Sequence, residues 1–126
     1  MTCTFSSIAS PMTTTYGVEH LDINCTQTLS NMYIELTVQR TVNATYANQY
    51  QTFWNLTTNQ TYIETNSQII YTWTLLSGQV IQDIGFPYFV EGQYHLPNVN
   101  QATNLDTYSA TLTSICGHTV SQNGTF

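Results

Sequence analysis

Apolar side chains recur along this chain at every second position, not at the three-to-four spacing of a helix. In NMYIELTVQRTVNA, Ile34, Leu36, Val38 and Val42 share one face and Glu35, Thr37 and Gln39 the other, the pattern of a half-buried antiparallel strand. The same period predicts a strand in QYQTFWNLT, where Tyr50, Thr52, Trp54 and Leu56 alternate with Gln49, Gln51, Phe53 and Asn55. It predicts another in SQIIYTWTLL, with Ile69, Tyr71, Trp73 and Leu75 on one face. QVIQDI and YFVEGQYHL read as shorter strands, and DTYSATLTSICG as a closing one with Tyr108, Ala110, Leu112 and Ser114 together.

Thr, Tyr, Val and Ile dominate these runs, and all four suit a pleated, half-buried surface. Turn signals separate them: Ser77-Gly78, Gly85-Phe86-Pro87, Glu91-Gly92 and Leu96-Pro97-Asn98. Short strands at this spacing, with no helical stripe, repeat or linker, predict a single antiparallel β-sandwich, immunoglobulin-like or jelly-roll-like, over residues 16–126. Residues 1–15 are Ser/Thr-rich with a short apolar patch at Phe5 and Ile8. They are expected to form a flexible tail, an edge strand, or an arm that pairs with the sheet edge of a neighbouring molecule.

Charge narrows the partners. One basic residue, Arg40, stands against seven acids, for a net charge of -6. No basic patch can be assembled for nucleic acid, nor for an anionic membrane surface. No run of about 18 apolar residues is present to form a membrane-spanning helix. Charged residues make up 6% of the chain, against about 25% in an ordinary soluble domain. Thr, Asn, Gln and Ser, or attached glycans, therefore have to supply solubility, or else the surface is buried in an assembly.

Asn-X-Thr triplets occur at Asn24, Asn43, Asn55, Asn59 and Asn123. Five in a small domain point to an N-glycosylated, extracellular protein. At Asn24 the middle residue is Cys25, so disulfide formation competes with glycosylation there. MTCTFSSIASPMTTT has neither the basic start nor the apolar core of an export signal. For a secreted protein, the numbering is then expected to describe a processed or recombinant chain.

Catalytic chemistry finds few candidates. His20, His95 and His118 are far apart and lack metal-ligand spacing; there is no C-x-x-C pair and no G-x-S-x-G elbow. No metal, no cofactor and no enzymatic activity are expected. Binding chemistry is better supplied, with nine Tyr, two Trp and five Phe. Aromatic rings stack on the apolar faces of sugars while amides and carboxylates take the hydroxyls. Trp54, Trp73, Tyr71 and Tyr88 are the candidate sugar-binding rings, although the apolar neighbours of Trp73 also suit a core position.

From YIELTVQRTV to SICG the order of parts resembles the family-49 cellulose-binding modules, relatives of the family-2 bacterial ones. The matching pieces are Cys25, NQYQTFWNLTTN, TWTLLSGQVIQDIG, FPYFVEGQYHLPN and the final strand, with VEGQYHLPNV the most specific. The resemblance implies a non-catalytic β-sandwich that binds polysaccharide. The family's usual Trp is replaced here by Asp83-Ile84-Gly85, and its Pro-Gly before the last strand by Leu105-Asp106. A binding ring is therefore missing from the family's platform. Cys25 and Cys116 are expected to join the first sandwich strand to the last, closing a loop of about 90 residues worth roughly 4 kcal/mol in the chain-entropy model. Cys3 is then free or intermolecular.

Two functions follow. The first is an extracellular, carbohydrate-associated module of a wall, coat or matrix, with polysaccharide or attached glycans as its partners. The second is a glycosylated structural subunit whose residues 1–15 pair with the next copy to give a filament. Sugars on residues 43 to 59 would obstruct a binding face built on Trp54, so that stretch is expected to carry sugar instead of gripping it.

Overall fold

The computed structural model describes residues 1–11, 13–53 and 57–126. Among the described residues there are nine strands: β1 (Cys3–Pro11), β2 (Tyr16–Cys25), β3 (Leu29–Gln39), β4 (Thr45–Gln51), β5 (Thr58–Glu64), β6 (Gln68–Leu75), β7 (Tyr88–His95), β8 (Thr107–Ser114) and β9 (Thr119–Thr125). They form a four-stranded sheet, β1-β2-β7-β4, and a five-stranded sheet, β5-β6-β3-β8-β9. Every pairing is antiparallel. The all-β sandwich is thus as the alternation predicts.

The core lies between the sheets and follows the period of two. Ile34, Leu36 and Val38 from β3, Ile69, Tyr71 and Trp73 from β6, and Ala110 and Leu112 from β8 face Leu21, Ile23, Val90 and Tyr94 across the gap. Fully burying a side chain of this size contributes about 1.5–3 kcal/mol. Val42, expected in line with β3, is instead half-buried in the turn that follows it.

Several expectations are corrected. β4 is in the opposite phase to its reading: Gln49 is buried and Tyr50 is exposed. The register shifts between Tyr46 and Asn48. Gln49 earns its inward position by hydrogen bonding, because its Nε2 donates to Thr61 O at 3.0 Å. Trp54, Asn55 and Leu56 lie outside the described residues. QVIQDI is not a strand; Ile81 makes an isolated bridge to Leu29, and a 3-10 turn follows over Asp83–Gly85.

Residues 3–11 are not a free arm. β1 pairs with β2 over nine positions, from Cys3↔Cys25 to Pro11↔Gly17, and is an edge strand of the chain's own sheet. The disulfide is Cys3–Cys25, not Cys25–Cys116. Cys3 stands directly across from Cys25, whereas Cys116 lies in the exposed β8–β9 turn with a free thiol.

Both open sides of the sandwich are bridged. On one, Ser7 Oγ donates to Thr125 O at 2.9 Å, joining β1 to β9. On the other, Gln60 Nε2 donates to Gln49 O at 3.3 Å, and Tyr46 stacks on Tyr62 with ring centroids 3.5 Å apart, joining β4 to β5. Arg40 ties the β3–β4 turn to the β5–β6 turn: its Nε donates to Ala44 O at 2.5 Å and its Nη1 to Thr65 O.

Candidate functional site

Of the rings singled out from the sequence, the three among the described residues are interior. Trp73 and Tyr71 are 0% exposed and Tyr88 5%. Trp73 Nε1 donates to Gln60 Oε1 at 3.2 Å, Tyr71 Oη to Gln93 O at 2.5 Å, and Tyr88 Oη to Gln82 O at 3.2 Å. None of the three offers an open face to a sugar. On a sandwich strand the face carrying the largest rings is the one that fills the roughly 10 Å gap between sheets.

A different surface gathers exposed binding chemistry, the outer face of the four-stranded sheet. Strand alternation puts Tyr16, Val18, His20 and Asp22 of β2 on this face, with Phe89, Glu91, Gln93 and His95 of β7 beside them. Register sets His20 across from Glu91 on one side and Ile8 of β1 on the other, and Val18 across from Gln93. β4 adds Tyr50, opposite Glu91, and Asn48, opposite Gln93.

The polar heads form one connected row. Tyr16 Oη donates to Gln93 Oε1, and Gln93 Nε2 donates to Glu91 Oε2 at 2.7 Å. His20 Nδ1 lies 3.2 Å from Glu91 Oε1, and His20 Nε2 lies 2.9 Å from Asp22 Oδ1. The imidazole therefore sits between two carboxylates, and its ring packs against Phe89 at 4.4 Å. Asn48 Nδ2 donates to Tyr50 Oη at 3.2 Å. Tyr50 is 49% exposed and Ile8 52%. Burial, then the nearby Tyr50 and Glu91, push the Tyr16 phenol up, so it stays a neutral hydroxyl.

Beside this row runs an open trough of about 760 Å³ lined by Ile8, Thr15, Tyr16, Val18, His20 and Gln93 among others. Its walls mix aliphatic and aromatic carbon with carboxylate, amide, imidazole and hydroxyl groups. No Lys or Arg contributes, since the one such residue, Arg40, is held in the β3–β4 turn. Among the described residues no group of three or more His, Cys, Asp or Glu could hold a metal ion. No helix among them is long and apolar enough to cross a membrane.

The triplet asparagines are distributed unevenly. Asn59 pairs with Thr74 and Asn123 with Ser109, which puts both on the outer face of the five-stranded sheet, away from the trough. Asn43 is exposed in the β3–β4 turn at φ 62°. Asn24 is on the trough's own sheet, one outward position beyond Asp22. Asn55 lies outside the described residues.

Tyr16, Asp22, Glu91 and Gln93 are not marked as site residues by any motif in the sequence. The signal available was that H-x-D in EHLD and E-x-Q in VEGQ each put two hydrogen-bonding side chains on one strand face. No protein-family model matches the chain, and no curated protein matches it. The family-49 resemblance is therefore unconfirmed beyond the sandwich architecture. Among solved structures the chain is similar to a cohesin module from a Clostridium perfringens ATCC13124 family 33 glycoside hydrolase, with TM-score 0.58 and 11% identity over 98% of this chain and 95% of that one. At that identity the likeness is one of fold, and the fold is a β-sandwich.

Proposed function

We propose that this chain is a non-catalytic extracellular module that binds a glycan on the outer face of its four-stranded sheet. The row Tyr16–Gln93–Glu91–His20–Asp22, open to solvent and bordered by Tyr50 and Phe89, carries the reading. Sugar hydroxyls both donate and accept hydrogen bonds, and the row offers both kinds of partner side by side. Tyr50 and the aliphatic floor of Ile8 and Val18 supply apolar surface for ring faces. Two carboxylates and no cation disfavour uronic or sulfated chains and leave a neutral polysaccharide as the ligand.

Export is supported by the Cys3–Cys25 disulfide and the five Asn-X-Thr triplets. Glycans on Asn59 and Asn123 would coat the opposite face and leave the trough clear. The sandwich to which the chain is similar is itself a module of a glycoside hydrolase, which fits a non-catalytic part. A filament built by a free amino-terminal arm has less support, because β1 is already paired within its own sheet and fastened by the disulfide.

The test is a pull-down against insoluble and soluble neutral polysaccharides, with a polyuronate as control. Binding to a neutral chain, reduced at least tenfold by Tyr50→Ala and by Glu91→Gln in folded protein, is expected. Retention of full binding in both variants would sink the assignment of the face.

A further inference from the structure

Behind the same sheet, the interior holds two carboxyl groups with no basic partner. Glu19 of β2 and Asp106, just before β8, are both 0% exposed. Glu19 takes an inward position that alternation would give to an aliphatic residue, level with Ala9 on β1 and Gly92 on β7. Glu19 Oε1 and Oε2 and Asp106 Oδ2 are fully buried, and none has a hydrogen-bond donor among the described residues. A hydrogen bond between the two, which requires one of them to be protonated, adds to the rise of Glu19 and opposes that of Asp106. Two ionised carboxylates cannot share such a place: each would bear a desolvation cost of several kcal/mol, and they would repel.

We propose that Glu19 and Asp106 hold one proton between them, and that this proton is a structural part of the sandwich which makes its closure depend on pH. Glu19 is the donor of the pair. Asp106 is the better anion, because its Oδ1 already accepts the Gln39 backbone N–H at 2.8 Å. The protonated Glu19 O–H then supplies Asp106 with a second donor, and one bond removes the conflict for both groups.

Asp106 is also where the strands meet. Its backbone carbonyl accepts from Phe126 N at 3.1 Å and its N–H donates to Thr103 O at 3.0 Å, so the carboxyl holds the end of β3 while the backbone of the same residue holds the end of β9 at the start of β8. The proton therefore links β2 of one sheet to the residue on which β3, β8 and β9 of the other converge.

The titratable groups facing the pair are phenols, Tyr94 from β7 and Tyr71 from β6. Burial first, then the neighbouring Glu19, holds both above the ordinary tyrosine range. Burial first, then the Asp106 hydrogen bond and charge, raises Glu19 to about 11. A raised carboxyl contributes its full stability below the ordinary carboxylate range and loses it as pH climbs toward the folded value. Folding thus takes up one proton across neutral and mildly alkaline pH.

The test is denaturant unfolding of the full chain between pH 7.5 and 9.5, in a Cys116→Ser background to prevent thiol exchange. One proton taken up makes the folding constant fall about tenfold per pH unit. Glu19→Gln, whose amide still donates to Asp106, is expected to flatten that slope. A wild-type slope near zero, or the same slope in the variant, overturns the proposal. Should Glu19→Gln fail to fold, infrared spectroscopy of the wild type decides alone. A protonated-carboxyl C=O stretch present at pH 7.5 and lost on alkaline titration supports the shared proton, and its absence at pH 7.5 refutes it. Neither readout involves a glycan, so the outcome is independent of the binding assignment.

Discussion

The ring of Tyr71 on one sheet occupies the space that a side chain on Gly92 of the other would need: a Cβ at residue 92 would lie 2.8 Å from Tyr71 Cδ2. The ring cannot easily give way, since its hydroxyl is fixed on Gln93 O and it stacks near Trp73 at 6.3 Å. Gly92→Ala should therefore destabilise the fold by about 1–3 kcal/mol, the range for overpacking a filled core. An unchanged denaturation midpoint would mean that the two sheets are not held at this spacing.

Cys3 and Cys25 enclose a separation of 22 residues. Closing a loop of that size is worth about 3 kcal/mol in the chain-entropy model. Replacing both by Ser should cost about that amount in an unfolding titration, while Cys116→Ser should change stability by less than about 0.5 kcal/mol. A large loss on removing Cys116 would favour the Cys25–Cys116 pairing instead.

Trp73 and Tyr50 should separate stability from recognition. Trp73→Ala empties a fully buried site and is expected to cost about 3–5 kcal/mol. The protein that remains folded should still bind polysaccharide. Tyr50→Ala, at an exposed position, should leave the unfolding midpoint nearly unchanged and weaken binding. Calorimetric titration of the folded fraction distinguishes the two, and the reverse result would return the binding face to the interior strands' loops.

The strands easiest to read were those with one face buried and one wet. β3, β6 and β8 show that contrast at nearly every position. β5 and β9 are sheet edges with little burial on either face, so no alternation marks them. β2 was obscured by Glu19, a charged residue in the inward phase, and β4 by Gln49, which is buried for its hydrogen bonds. The same reversal hid the candidate site. Size singled out Trp73, Tyr71 and Tyr88, but in a sandwich the largest rings serve the core. The exposed row is made of medium-sized polar residues on two strands, 16–25 and 88–95, that become neighbours only through pairing. The Cys3–Cys25 pairing is not legible in the sequence, because spacing along the chain says little about which thiols face each other.

Arg40 has a consequence for proteolysis. As the chain's only Lys or Arg, it marks the one bond, Arg40–Thr41, that a protease specific for basic residues can cut. Its guanidinium is engaged by Ala44 O and Thr65 O, and its backbone N–H donates to Ser67 O at 2.8 Å. Digestion with such a protease should leave the native chain whole. Where it does cut, the rate should report how often the β3–β4 turn opens, giving two fragments and no others.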